Sequence, residues 1–335
     1  MAASWVVACF RKCYDIAQHI HVWRDCGRGT IRKTHRHEGP SVTNIAVIAH
    51  ESKTLGGGLE ELRAALADRG ESDVTWSPVA KSKFVPKAVS KALKRGADLI
   101  IIWGGDGSVQ RAVDTLAGTS VPLAIMPAGT GNLFATNLGI PKSVPEALEV
   151  ALVGLDRKID LGRVNGEHFG VMMGIGLDAN MIKDADGGLK DALGRLAYVW
   201  TGARSINTAR FTARVDVDDK RFFKGAAGCV LIGNMGQLTG GIEAFPDAVP
   251  DDGKLDIGVI TADSLLDWSR ALSRTAIGQA ASSPFVEITR GKRIDITTDR
   301  KLLYEIDGGE RDKIKKLKVR IKPGAVVVKV PFPTA

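Results

Sequence analysis

The sequence predicts a two-domain α/β protein, with an N-terminal domain built on a parallel sheet and a C-terminal domain of antiparallel, sandwich-like strands. From Asn44 to Val153, strand-sized apolar runs alternate with helical patterns, as in parallel strands joined by helical crossovers. After Asp160 the strands change to period two, apolar and polar in turn, as half-exposed antiparallel strands do. Two glycine-rich turns each close an apolar run and open a helix. A chain of 335 residues is long enough to bury two cores.

The N-terminal elements follow in order. Strands are expected over 45–49, 74–76, 99–103 and 123–126, and helices over 59–69, 88–95, 109–116 and 144–153. A short helix is expected after the second glycine turn. The run Leu99-Ile100-Ile101-Ile102 is continuously apolar, which fits a strand covered on both faces. Further on, Phe211, Ala213, Val215 and Val217, then Ile294 and Ile296, alternate with polar residues. Helices are expected over 189–205 and 265–277, and a last β-branched strand over 325–330. The domain limits are set at 41–163 and 164–322, with 323–335 as a final strand. Residues 1–40 are expected to be a poorly ordered extension.

Hydrophobic residues make up 44% of the chain and charged residues 25%, a globular composition, and no apolar run approaches the ~18–20 residues of a membrane span. The net charge of +8 suggests an anionic partner: nucleotide, membrane surface or nucleic acid. Nucleic acid is the weakest of the three, since no helix-turn-helix, zinc-finger or RNA-binding signature is present. Late in the chain Arg311, Lys313, Lys315, Lys316, Lys318, Arg320 and Lys322 alternate with Leu317, Val319 and Ile321. That pattern reads either as a solvated strand face or as a membrane-facing patch.

Four cysteines, Cys9, Cys13, Cys26 and Cys229, give no disulfide framework in a chain this long, which points to a reducing cytosol. Cys9, Cys13 and Cys26 lie near His19, His21, His35 and His37, but the spacing lacks the second paired half of a zinc site. The opening MAASWVVACFRK has no basic n-region before its apolar stretch, so a signal peptide is not expected.

The chemistry concentrates in DLIIIWGGDGSVQRAV, residues 98–113. A strand that ends in a Gly-rich turn and runs into a helix offers backbone N–H groups and a helix N-terminus to a phosphate. Gly104, Gly105 and Gly107 allow close approach, and Asp106 sets a carboxylate where a cation or an attacking hydroxyl would sit. PLAIMPAGTGNLFATNLGIP, residues 122–141, repeats the layout, so both loops fall at the carboxyl ends of neighbouring parallel strands. Such a pair is a phosphoryl-transfer signal.

The pair GGDGS and PAGTGN, followed by LGIP, resembles the diacylglycerol kinase catalytic domain family, which includes bacterial soluble lipid kinases and sphingosine and ceramide kinases. The resemblance runs from about Val42 to the C-terminus, through KIDLGRVNG (158–166), GIGLDA (174–179), DAVPDDGKLDIGVI (247–260) and YEIDGGE (304–310). It implies a fold shared with NAD kinases and a C-terminus that returns to the first domain. It also implies ATP and Mg2+ as cofactors and a lipid at a membrane surface as partner, in a cytoplasmic protein peripherally attached to the membrane. No nucleic acid partner is expected; a homodimer stays open.

By the same resemblance the catalytic carboxylates are Asp106, Asp160 and a late acid. The late acid is either Asp307 or Glu310, because DGGE stands in place of the family's DGE, and Glu310 is preferred. Gly104, Gly105, Gly107, Ser108, Gly129, Thr130, Gly131 and Asn132 would hold the nucleotide. Asp251, Asp252 and Leu255 resemble a structural Mg2+ site, of the oxygen-ligand kind that hard cations prefer. Leu133 stands where many diacylglycerol kinases carry an aspartate, and AHESKTLGGG (49–58) replaces the N-P-x-S-G element. Lys53, Thr54 and Gly56 to Gly58 could form a phosphate-side loop or a flexible link.

The expected reaction is ATP-dependent phosphorylation of a lipid hydroxyl, diacylglycerol to phosphatidic acid first. A sphingoid-base or ceramide kinase is the alternative that Leu133 keeps open. NAD kinase, whose second motif carries an Asn-Glu pair absent here, and a non-catalytic nucleotide-binding regulator are further alternatives. A hydride-transferring Rossmann enzyme fits worst, since neither loop reads G-x-G-x-x-G with a ribose-binding acid downstream.

Overall fold

The structure is a computed structural model that describes residues 44–71, 73–176, 210–238, 243–261 and 285–333. The expected helices over 189–205 and 265–277, the extension 1–40 with its cysteines and histidines, and Gly240 and Gly241 lie outside the described residues.

Four parallel strands open the fold: β1 (Ile45–His50), β2 (Val74–Val79), β3 (Leu99–Gly104) and β4 (Leu123–Pro127), in the order β2-β1-β3-β4. All six residues of β3 are buried, because helices cover both faces of the sheet. The helices are α1 (Gly58–Asp68), α2 (Val85–Lys94), α3 (Asp106–Leu116), α4 (Leu133–Asn137) and α5 (Val144–Val153). Helix α2 begins three residues earlier than its apolar spacing predicts, since Pro86 in its first turn needs no N–H partner there. Strand β2 extends through Pro78, which an edge strand tolerates. A single 3-10 turn, Ser82–Phe84, joins β2 to α2.

The antiparallel half contains β5 (Leu155–Val164), β6 (Glu167–Phe169), β7 (Met172–Ile175), β8 (Phe211–Val217), β9 (Lys220–Ala227), β10 (Cys229–Gly233), β11 (Leu255–Ile260), β12 (Val286–Gly291), β13 (Arg293–Ile306) and β14 (Gly309–Val330). Burial along β8 alternates residue by residue, with Phe211, Ala213, Val215 and Val217 inside. Strand β14 is much longer than the predicted 325–330. It pairs antiparallel with β13 and β5, passes an irregularity between Lys322 and Val326, and finishes parallel to β4, Val328 opposite Leu123.

Among the described residues two hydrophobic cores form. One gathers β1, β3, β4 and the helices, with Leu62, Val89, Trp103, Val113 and Leu148 inside; the other gathers Phe169, Phe211, Val230, Ile257 and Ile294. Strands β5 and β14 feed both: Ile159 and Val328 lie in the first, Val164 and Val319 in the second. The late basic residues follow this pattern, with Leu317 and Val319 buried and Lys315, Lys316 and Lys318 exposed.

Candidate active site

The two glycine turns touch. A Cβ built on Gly129 would stand 2.4 Å from the Cα of Gly105, so only glycine lets the backbones pass this closely. The N–H of Ala128 donates to the Gly104 carbonyl at 3.0 Å, continuing the β3–β4 pairing into the loops. Gly105 caps α3, and Asp106 is the helix's first residue, where the helix dipole favours a carboxylate.

Asp106 also ties one turn to the other. Its Oδ2 accepts the N–H of Asn132 at 2.9 Å and its Oδ1 that of Leu133 at 2.6 Å, the free donors at the start of α4. Asn132 adopts the left-handed conformation at φ +52° and is 5% exposed. Its Oδ1 accepts the Gly129 N–H, and its Nδ2 donates to the carbonyls of Pro127 and Gly129. The turn is thus held by one buried amide, while Gly107 and Thr130 stay exposed on its rim. Ser108 is buried beneath, against Gly104.

Of the two candidate late acids, Asp307 turns inward, whereas Glu310, the one preferred from the sequence, is exposed. Ile306 pairs with Gly309, so Asp307-Gly308 is a two-residue hairpin turn, with both φ positive at +45° and +76°. Gly309 already pairs in β14, and Glu310 stands exposed on that strand opposite Glu305. The Asp307 carboxylate accepts the N–H groups of Gly170, Val171 and Met172 at 2.9–3.0 Å. Burial pushes its pKa up to about 6; the three N–H bonds oppose that, and the nearby charge of Asp106 adds to it.

Asp160, expected among the catalytic carboxylates, is engaged by backbone N–H groups. Its two oxygens accept the N–H groups of Gly253 and Gly324, both at 2.6 Å, and its own N–H donates to the Pro250 carbonyl. It staples β5 to the 250–253 loop and to the β14 irregularity, and none of its hydrogen bonds reaches Asp106. Asn234, 1% exposed, connects the regions: its Nδ2 donates to the carbonyls of Asp160 and Gly170, beside the Asp307 anchor.

The residues proposed for a structural Mg2+ do not fit one as they stand. Arg157 holds both oxygens of Asp251 at 2.8 and 2.9 Å, and Arg290 holds Asp252 at 2.5 Å and pairs with Asp256 at 3.0 Å. Leu255 is buried in β11 opposite Gly291. Both acids are thus engaged by guanidinium groups, and no cluster of three metal-ligating side chains occurs among the described residues.

The alternative phosphate loop, 51–57, is fastened rather than loose: Trp103 Nε1 donates to the Lys53 carbonyl at 2.8 Å, and Glu61 accepts the Gly57 N–H at 2.7 Å. Other supports carried no sequence signal. Asn137 on α4 and Gln237 beyond β10 exchange two hydrogen bonds, both 2.9 Å. Asp114 on α3 accepts the backbone N–H of His168 at 2.9 Å and contacts its ring at 2.8 Å. Each depends on a partner 54 or 100 residues away.

The profile of the diacylglycerol kinase catalytic domain matches residues 46–164, and that of the YegS C-terminal NAD kinase beta sandwich-like domain matches 171–330. A probable lipid kinase YegS-like of Pseudomonas syringae pv. syringae (strain B728a) is 32% identical over 302 residues, covering 85% of this chain and 92% of its own. The chain belongs to this lipid kinase family. The family's diacylglycerol kinase of Bacillus subtilis (strain 168) is 30% identical over 226 residues, 66% of this chain and 74% of the other. In fold, a crystal structure of a diacylglycerol kinase from Bacillus anthracis str. Sterne superposes with a TM-score of 0.69 at 24% identity, covering 86% of this chain and 97% of that one. Two-domain architecture and enzyme class are therefore those of the YegS and diacylglycerol kinase family. Within that family, this chain combines Leu133 behind the second loop with an arginine-neutralised acidic loop.

Proposed function

We propose that this enzyme transfers the γ-phosphoryl group of ATP to a lipid hydroxyl, converting diacylglycerol to phosphatidic acid at the cytoplasmic face of a membrane. The contact of the two glycine turns, tied by Asp106, carries the reading. It offers open backbone, a helix N-terminus and a fixed carboxylate at one point, as phosphoryl transfer requires. The B. subtilis relative's name supports diacylglycerol as the acceptor. Among the described residues no helix is long and apolar enough to cross a membrane.

In this reading Gly104, Gly105, Gly107, Ser108 and the 129–132 turn hold the phosphates. Asp106 orients the acceptor hydroxyl and takes its proton. The new O–P bond forms as the β,γ-bridge oxygen departs with ADP. The two N–H bonds to Asp106 leave a lone pair on each oxygen for this work. Asp106 and Asp307 are hard oxygen donors suited to Mg2+, which needs one or two carboxylates besides the phosphates and neutralises charge on the transferred group. Asp307 also fixes the Gly170–Met172 segment on the acceptor side.

Leu133, by the resemblance it leaves to sphingosine-kinase-like members, supports a second acceptor class, sphingoid bases or ceramides. Incubating the enzyme with radiolabelled ATP and extracted lipids, then identifying the product by mass, decides between the two. Labelled NAD with no labelled lipid overturns both.

A further inference from the structure

We infer that the enzyme meets an anionic bilayer through the 3-10 turn Ser82–Phe84 and helix α2, with Phe84 as the apolar anchor; this rests on the lipid-acceptor reading above. From Val74 to Ala97 the sequence contains Lys81, Lys83, Lys87, Lys91, Lys94 and Arg95 and no acid. The fold turns this into a face. Val85, Val89 and Ala92 of α2 are buried against the core, while Lys83, Lys87, Lys91 and Lys94 recur every three or four residues and are all exposed. The adjoining 51–57 loop carries Glu51 and Lys53, which cancel, and Arg111 and Asp114 on α3 do the same. Asp73 and Asp98 flank the stretch at its two ends, so the lysines of α2 and of the 3-10 turn form a net cationic face.

At one end of the stripe Phe84 is 46% exposed, with the Lys83 ammonium over its ring at 5.2 Å. An exposed aromatic ring with a lysine over it, at the end of a lysine-bearing helix face, is the composition of an interfacial membrane anchor. Its position matters as much. The turn follows β2 at the carboxyl end of the parallel sheet, and Ser82 Oγ lies 3.6 Å from where a Cβ on Gly107 would stand. A bilayer resting on Phe84 would lie beside the catalytic turn, where an embedded acceptor can reach Asp106. A nucleic acid would use the lysines but has no need of an apolar anchor at that point, so the surface fits a lipid partner.

The test is co-sedimentation with phosphatidylcholine vesicles, with and without phosphatidylglycerol, in the absence of nucleotide. Beside it runs phosphorylation of a water-dispersed short-chain diacylglycerol. Each lysine near an anionic surface contributes roughly fivefold in binding. The triple variant Lys87→Glu, Lys91→Glu, Lys94→Glu should lose at least about 100-fold in anionic-vesicle binding while keeping short-chain activity. Phe84→Ser should also lose binding, and Phe84→Trp should restore it, with a blue-shifted emission when vesicles are added. Loss of binding with intact short-chain turnover supports the assignment. Unchanged vesicle binding in both variants overturns it, as does loss confined to a Lys315→Glu, Lys316→Glu, Lys318→Glu variant. Absence of lipid phosphorylation by the native enzyme, with vesicle binding still lost in the α2 variants, overturns the acceptor reading and supports the docking face.

Discussion

The carboxylate of Asp106 accepts the backbone N–H of Leu133 at 2.6 Å, so the acid proposed to handle the acceptor proton also pins the second phosphate turn to the first. Asp106→Asn puts an amide among backbone donors. One of the two N–H bonds is lost, at about 1 kcal/mol of stability. The variant should fold but lose at least about 100-fold in turnover, because the missing charge acts on the transition state. Lipid phosphorylation and thermal unfolding on the same preparation check this; native-like turnover would remove Asp106 from the mechanism.

Asp160 separates support from chemistry. Asp160 is 2% exposed, but its two donors belong to half-buried Gly253 and exposed Gly324, which water can partly satisfy, so Asp160→Ala should cost about 1–3 kcal/mol. Asp160→Asn keeps one acceptor and should recover part of that stability together with turnover per folded molecule. A stable but inactive Asp160→Asn would return this residue to the catalytic set.

Asp307 predicts a pH signature with a definite sign. Its folded pKa, about 6, lies above the ordinary aspartate value of about 4, so the folded state binds the proton more tightly than the unfolded chain. Ionising it therefore costs stability, and its contribution falls as pH rises from about 4 to 6. Asp307→Asn should flatten that part of the unfolding profile, and native activity should rise through pH 6 as the carboxylate forms. Identical profiles for the two proteins between pH 4 and 7 would contradict the assignment.

The acidic loop gives the opposite of a metal prediction. Asp251 and Arg157 are each more than a third exposed, so their pairing contributes only about 0–1 kcal/mol and is screened by salt. Asp251→Asn with Asp252→Asn should lower the melting temperature by a few degrees at low salt and leave the Mg2+ requirement unchanged. A raised Mg2+ requirement would show that a cation displaces the arginines.

Sequence reading went furthest where one physical pattern dominates. The apolar run of β3, the period two of β8 and the paired glycine turns are local, and each was legible. Helix α3 was placed from Val109, though it begins at Asp106, because Gly105 caps it without any capping side chain to announce the start. The preference for Glu310 came from aligning DGGE by residue type. Read as a hairpin, Asp-Gly between alternating strands marks Asp307 as a turn residue, and a turn fixes which way its side chain points. Asn234, Gln237 and His168 were not legible, since their meaning depends on partners far along the chain.

Strand β14 has a consequence for biosynthesis. The free edge of β4 receives its neighbour only when Val328 is made, about 200 residues after Leu123. At roughly 5–20 residues per second, a ribosome exposes that unpaired edge for about 10–40 s before the closing strand exists. An open strand edge is a template for pairing between chains. Nascent copies translated close together on one message are thus at their most vulnerable shortly before release, and a stop codon a few residues early leaves the half carrying both glycine turns without its seal.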